Sequence, residues 1–426
     1  MQRNTTTAML LLTLAGSAAL AAPSFAPPTA LPTGQRPSGV ALGDFDGDGD
    51  MDLAVTSDAP DKIEIYSNTA GTLTLSATIL TGSGTGADDL IASDIDGDGD
   101  MDLVVALKNI NTVRTYINTA GVFTPGTDAA VGTEPVDLAV GDLDGDGDDD
   151  FATANRDGAT FTVLTNNAGV LSAASFAGGD EPRAVAIGDF TGDGVADIAV
   201  SDKDNRVVNI HSGAAGFALV QGLPVNPVTR PDGLVAADLN GDGLMDLAAA
   251  SSDDFLNVAS VWLNTGAGMG VRSEYLTGGS NVGGIAAADL DGDGDMDLVT
   301  THSDSNSMST LENTGTGVFN AGVVSSTGTR PGNIALGDID GNGGTDIVIS
   351  NRDANSVSIF MNQNGGANPC NQADVAEPFG ELNFFDVSSY LGAFNAQDPA
   401  ADLDGNGVIN FFDVSDFLTS FSAGCP

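Results

Sequence analysis

A nine-residue loop of the form D-x-[DNT]-G-[DN]-G-x-x-D occurs seven times in the chain, each time running into an apolar stretch. The copies begin at Asp44, Asp94, Asp142, Asp189, Asp238, Asp289 and Asp338, at spacings of 50, 48, 47, 49, 51 and 49 residues. A period of this length marks a repeat architecture, in which a unit buries its apolar faces only against its neighbours. Each unit holds four β-type stretches. In the first they are GVAL (39–42), LAVTS (53–57), KIEIYS (62–67) and LTLSATIL (73–80), separated by turns of Asp, Asn and Gly. Four strands per unit at this spacing specify a β-propeller blade. The Gly and β-branched content excludes helix-pair repeats of similar length. The expected fold is therefore an all-β seven-bladed β-propeller over residues 22–366.

The ends of the array predict a closed ring. The seventh unit stops after its third strand, VSIFMNQ (357–363). The segment SFAPPTALPTGQRPSGVALGD (24–44) aligns with VFNAGVVSSTGTRPGNIALGD (318–338), where Phe319 is expected to start the outer strand of blade six. Residues 22 onward are thus expected to supply the missing outer strand of blade seven, leaving no open sheet edge.

Within the loops, position one is Asp throughout, and position two is always apolar: Phe45, Ile95, Leu143, Phe190, Leu239, Leu290 and Ile339. Position three is Asp46, Asp96, Asp144, Thr191, Asn240, Asp291 and Asp340. Position five is Asp48, Asp98, Asp146, Asp193, Asp242, Asp293 and Asn342, and position nine is Asp52, Asp102, Asp150, Asp197, Asp246, Asp297 and Asp346. Positions four and six are Gly, which turns without a Cβ clash. Side-chain oxygens at one, three, five and nine, with a backbone carbonyl at seven, make an oxygen cage suited to Ca²⁺. The arrangement borrows the first half of an EF-hand loop, but it closes at nine rather than twelve and leads into a strand. Thr191 makes the blade-four site the weakest. Acidic turns without an ion are the competing reading, but a turn needs only Gly and Asp, not carboxylates at alternate positions seven times over.

Charge supports the same conclusion. The chain has 426 residues, 59 acidic and 13 basic, for a formal charge of −46, yet 41% of its residues are hydrophobic. That is globular rather than disordered composition, so the acidic charge needs a counter-ion. Seven divalent ions would bring the total to about −32. No basic stripe exists to neutralise phosphates, which excludes nucleic acid as a partner.

The D-x-D-x-D-G-x-x-D cores and the preceding G-[VI]-A stretches, as in GNIALGDIDGNGGTDIVIS (332–350), resemble the FG-GAP or VCBS repeats of bacterial surface proteins and the integrin α-subunit propeller. The resemblance covers roughly residues 25 to 363. It implies a propeller whose calcium ions brace the blades, and it leaves the ligand open.

The first 21 residues combine Arg3, an apolar run from Ala8 to Leu20 and small residues Ala19 and Ala21, the pattern of a cleaved secretory signal peptide. No later segment is long and apolar enough to cross a bilayer. The expected location is extracellular or at the cell surface. In an exported chain the two cysteines, Cys370 and Cys425, are expected to form a disulfide.

Residues 367–426 form a separate segment with a near-duplicate, LNFFDVSSYLGAF (382–394) and INFFDVSDFLTSF (409–421). Asp402, Asp404, Asn406, Asn410 and Asp413 stand at positions one, three, five, nine and twelve of a calcium loop that leads into a helical pattern. Two such halves flanked by cysteines resemble a dockerin of the bacterial GC type, a small α-helical module that plugs into a cohesin receptor. The first half departs from the pattern, since Asp374, Ala376 and Pro378 do not make a ligand set. The segment is thus expected to hold one or two further calcium ions. Phe384-Phe385 and Phe411-Phe412 stand where such modules carry small hydroxyl residues, which puts an ordinary cohesin partnership in question and leaves another cell-envelope protein as the alternative. Phe385 and Phe412 fall off the apolar helical face and are the expected docking aromatics. The competing reading places every Phe in a small core.

No nucleophile elbow, P-loop, HExxH or Cys-His pair is present. His211 shares a third-strand slot with Tyr66, Tyr116, Leu164, Trp262, Leu311 and Phe360 and is expected to pack between blades, whereas His302 is expected in a loop. The sequence thus points to a non-enzymatic, secreted calcium-binding propeller, an extracellular adhesion or display scaffold for a glycan or protein ligand. A component of polysaccharide degradation, a lyase or glycoside hydrolase, is the alternative.

Overall fold

The computed structural model describes residues 22–253 and 256–364. The expected signal peptide lies outside the described residues. So does the C-terminal segment, with its Asp402 loop, Phe385, Phe412, Cys370 and Cys425. Among the described residues there are 28 strands, one short 3₁₀ turn at Lys108–Ile110 and no α-helix.

The strands form seven four-stranded antiparallel sheets. Blade one consists of Gln35–Gly43, Asp52–Ala59, Asp61–Ser67 and Thr74–Leu80 in sequence order from the innermost strand outward. Blades two to six repeat this order. Blade seven takes Pro331–Gly337, Asp346–Asn351 and Ser356–Phe360 from the end of the array, and Thr29–Pro32 from its start as the outer strand. Thr29 pairs with Ile359 and Pro32 with Ser356. The innermost strands of successive blades pack side by side, and Gln35–Gly43 packs on Pro331–Gly337 to close the circle. Closure by both ends of the array is what the alignment of residues 24–44 predicts. Phe319, however, precedes its outer strand: it makes an isolated bridge to Asn313, as Phe25 does to Asn362, and the strand begins at Val323.

Burial follows from this radial stacking. The second strands, such as Asp102–Leu107 and Asp197–Asp202, are buried along their whole length because a blade lies against each of their faces. Outer strands such as Thr74–Leu80 are largely exposed. The hydrophobic core is accordingly seven wedges between blades. One joins Ala54, Ile63 and Ile65 to Leu90, Leu103 and Val105, and the closing wedge joins Leu53 and Tyr66 to Ile339 and Val348. Innermost strands come close enough at the axis that a Cβ on Gly233 would lie 2.4 Å from the Gly283 carbonyl oxygen.

The third-strand slot holds its register in all seven blades. Tyr66, Tyr116, Leu164, His211, Trp262, Leu311 and Phe360 pair opposite Leu53, Leu103, Phe151, Ile198, Leu247, Leu298 and Ile347. His211 packs against Phe161 of the preceding blade, the rings tilted by 56° with centroids 4.6 Å apart. His302 departs from expectation. It is the last residue of the strand Asp297–His302, fully buried, with Nε2 3.0 Å from Ser309 Oγ. The turn signal after it had hidden its place at the strand end.

Burial pushes the His302 imidazole down to about 4. A histidine that must stay neutral in the fold favours the unfolded state once that state protonates. Its contribution is therefore complete above pH 6.5 and is lost as pH falls from 6.5 towards 4, by roughly 3 kcal/mol at about 1.4 kcal/mol per unit. Urea melts of wild type and His302→Gln across that window should show the difference between the two chains shrinking by about this amount.

Candidate metal centres

The loops join the end of each innermost strand to the start of the second, so all seven lie at one end of the ring. In the first of them Gly43 pairs with Asp52 at the base of the loop. All seven position-two side chains are buried and anchor the loop in the wedge below. The glycines at four and six have positive φ, as at Gly47 (79°) and Gly49 (95°). A Cβ at either would meet nothing within 4 Å, so glycine is required there for backbone conformation, not for space.

The position-one carboxylate is the hub of each loop. Asp44 Oδ1 accepts from the Gly47 amide at 2.8 Å and Oδ2 from the Gly49 amide at 3.0 Å. The second of these bonds recurs in every blade. Position five accepts from the amide at seven in all seven loops, as Asp50 N to Asp48 Oδ1 at 2.9 Å. These bonds fold the loop back so that its carboxylates converge.

Ligand-type oxygens lie within 4.8 Å of one another in five loops: Asp44, Asp46 and Asp48; Asp94, Asp96 and Asp102; Asp142, Asp144 and Asp146; Asp289, Asp291 and Asp297; Asp338, Asp340 and Asp346. Blades four and five carry Thr191 and Asn240 at position three and lack such an all-carboxylate group. At an effective dielectric of about 20, a pair of charges this close repels by about 3 kcal/mol. Among the described residues no Lys, Arg or His forms an ion pair with any loop carboxylate. Burial, then the neighbouring carboxylates, push Asp291 up to about 6. Asp291 is only 5% exposed, and its Oδ1 has no hydrogen-bond partner. An oxygen-only donor set, crowded and unpaired, fits a hard divalent cation.

Position nine does more than its expected role of ligand. Asp52 is wholly buried; its Oδ2 accepts from the Phe45 amide at 3.0 Å and its Oδ1 from the Asn68 amide at 2.7 Å. The same pair of bonds, to the amide seven residues before and to the amide just past the third strand, recurs in every blade. Burial first of all raises Asp52 to about 6 and Asp297 to about 7, with a further push from the carboxylates at three and five.

Sequence reading missed the residue that this latch holds. Asn68, Asn118, Asn166, Asn264, Asn313 and Asn362 each donate Nδ2 to a loop carbonyl of the preceding blade at 2.6–3.0 Å. Five accept at position two, and Asn264 reaches position one at Asp189. The signal is an Asn at a fixed interval, 16 residues after position nine in five blades and 18 in blade five, inside what reads as turn sequence. Blade four has Gly213 instead, and a Cβ there would lie 2.1 Å from the Ala196 carbonyl oxygen.

Residues 21–55, 44–105, 94–153, 142–200, 238–300 and 289–349 match the model of the FG-GAP-like repeat. The chain belongs to the FG-GAP-like repeat family. The internal gap between the matched stretches of this FG-GAP propeller, from 200 to 238, holds the Gly213 departure in blade four. A search of curated proteins finds no match. Among solved structures the chain is similar to BBS1N in complex with ARL6DN, soaked with lead (TM-score 0.54, 13% identity, covering 79% of this chain and 98% of that one). It is also similar to the same complex soaked with mercury (TM-score 0.56, 12% identity, 79% and 96%). At such identities the likeness is one of fold.

The Asn bridge gives a test that runs against consensus logic. Asn118→Ala should cost about 2 kcal/mol, because it strips the donor from the buried Phe45 carbonyl and the half-buried Met101 carbonyl. Gly213→Asn, which restores the repeat pattern, should also destabilise, because its Cβ meets backbone. Denaturant melts of both variants check this; a more stable Gly213→Asn would contradict it.

Proposed function

We propose that this FG-GAP propeller is a secreted, calcium-braced scaffold that binds or displays extracellular ligands and is attached to a partner through its dockerin-like C-terminal segment. The observation that carries the calcium reading is the blade-six loop. Three carboxylates converge there, two of them buried, and Asp291 Oδ1 is without a hydrogen-bond partner. Calcium is favoured over magnesium because the donors are several flexible carboxylates supplied by protein alone. The residues that hold it are those at positions one, three, five and nine. The ion would neutralise the repulsion among them and tie the position-nine latch to the loop. Blade four, with Thr191, is the weakest site.

A binding role is supported by the fold's rigidity, with both ends of the array locked in one ring. The similar BBS1N structures are of a complex with ARL6DN, so a propeller of this fold serves there as a binding platform. Secretion is supported by the N-terminal sequence pattern, and an extracellular compartment would supply the calcium.

Mass action sets the size of the test. Each ion at about 100 times its Kd adds roughly 2.7 kcal/mol, so chelation of seven should lower Tm by on the order of 20 °C. An unchanged melt in EGTA would contradict the reading. Asp291→Asn separates the two accounts of the loops by sign. It should destabilise the protein in calcium, by removing a ligand, and stabilise it in EGTA, by removing a buried repelling charge. An acidic turn that never binds an ion would be stabilised in both conditions.

A further inference from the structure

Blade four departs from its neighbours at three points that meet on its seam with blade three. Gly213 stands where the other blades carry the bridging Asn, so no side chain of that kind ties it to the loop of blade three. The third-strand slot holds His211 where the other blades have Tyr, Leu, Trp or Phe. Two residues earlier on the same face, Glu64, Arg114, Thr162, Ser260, Ser309 and Ser358 each have a hydrogen-bonded side chain. Asn209 occupies that place in blade four, and its amide has no partner among the described residues. It stands opposite Gly222, which brings no side chain to meet it.

The seam holds a cavity of about 630 Å³, within the range that small ligands occupy, lined by Phe176 of blade three and by Val207, Asn209, His211 and Phe217 of blade four. Strand alternation turns Val207, Asn209 and His211 the same way, towards blade three, as the contact of His211 with Phe161 shows. Phe217 has a φ of 60° and is the one aromatic side chain among the described residues in the left-handed region, which a bulky residue rarely adopts. A tight turn holds it there, its amide donating to the Ser212 carbonyl at 2.8 Å, and its ring centroid lies 5.3 Å from that of Phe176 across the seam.

His211 is 4% exposed, and its Nδ1 lies 3.2 Å from the Phe217 carbonyl oxygen. A carbonyl only accepts, so Nδ1 carries the hydrogen and Nε2 a lone pair. Nε2 is shielded from water and has no partner, and an unmet buried acceptor costs about 1–3 kcal/mol. Burial lowers the imidazole's pKa, which keeps the ring neutral. Asp202, the one charged group on the wall, is already met by the Asn205 amide at 2.7 Å. The cavity on the ring axis differs, since each of the six Lys and Arg residues on its wall is ion-paired.

We propose that the seam between blades three and four binds a small neutral phenol, with its ring against Phe176 and Phe217 and its hydroxyl donating to His211 Nε2 and accepting from the Asn209 amide. Two free polar groups, one an acceptor and one with a donor to give, match a single hydroxyl. The rings beside them suit an aromatic body. A saccharide carries more hydroxyls than two groups satisfy, and an anion would meet no free cation on the wall in a chain of formal charge −46. The side chains around Nε2 turn aside to admit the hydroxyl, a rotamer change of the kind common on binding. The proposal rests on the binding-scaffold reading and gives it a site and a ligand class.

Isothermal titration of the full-length, calcium-loaded protein with p-cresol tests it, with the methyl ether of p-cresol, the same ring without the donor, as control. The phenol should bind saturably and about tenfold more tightly than the ether, the worth of one hydrogen bond to a buried acceptor. The chain's two histidines report the location. In protein isotopically labelled in the imidazole rings, p-cresol should move the NMR signal of His211 and leave that of His302, which His302→Gln identifies by its loss. His211→Leu introduces the residue that Leu164 and Leu311 supply to the same slot, so the blade stays packed. In it p-cresol should bind only as tightly as the ether, whose own affinity is unchanged. Asn209→Ala should weaken p-cresol severalfold with an unchanged melting temperature, since the amide has no partner to lose. Equal affinity for phenol and ether, or a His211 signal that does not move, would overturn the proposal. Competition by methyl glucoside would overturn it in favour of a saccharide site. A protein that binds no p-cresol while its melt still falls in EGTA would overturn the phenol site and leave the calcium and scaffold readings standing.

Discussion

The structure depends on one buried carboxylate per blade. At position nine an aspartate accepts two backbone amides, one at the head of its own loop and one just past the third strand of its own blade. The residue at the second of these points is, in six blades, an asparagine whose side chain bonds the loop of the blade before. Loop, blade and neighbour are thus joined through a single side chain, and the repetition of that joint carries order around the ring. Such a carboxylate gives up water to make these bonds, and raised values at Asp52, Asp102, Asp246, Asp297 and Asp346 express that loss. Hydrogen bonds from neutral amides offset part of it. A cation shared with positions one, three and five would offset the rest, which is why latch and proposed metal site fall on the same residue.

The two ends of the ring divide the electrostatic work. Seven loops gather carboxylates that no basic side chain among the described residues pairs with, while six of the chain's 13 Lys and Arg residues line a cavity on the axis at the other end, each of them ion-paired with a carboxylate. This division follows from topology. One nine-residue loop per blade connects first to second strands, and every such loop must emerge on the same face. A loop chemistry repeated seven times therefore becomes a property of a whole face, and the opposite face is free to differ from blade to blade.

Most of the fold was legible in the sequence because the period, the four strands per unit and the closing strand at residues 24–44 are patterns of spacing, and spacing survives folding. Convergence of the loop carboxylates was legible for the same reason. The asparagine bridge was not read, although its interval is nearly constant, because an Asn beside Gly after a strand is also ordinary turn chemistry. The axial cavity could not have been read at all. Its lining depends on register shifts between partner strands, and residues such as Lys108 and Arg330 lie more than two hundred positions apart. His302 was misplaced since a Ser-Asp turn follows it directly, while the buried Ser309 that receives its ring is on the next strand.

Calcium content tests the central claim most directly. Full-length protein exchanged into calcium, desalted and weighed under native conditions should retain seven ions in the propeller loops, with one or two more if the C-terminal segment binds. Removing the carboxylates of one loop should lower the count by one. A folded chain that retains none, or whose count ignores the loop substitutions, would contradict the account.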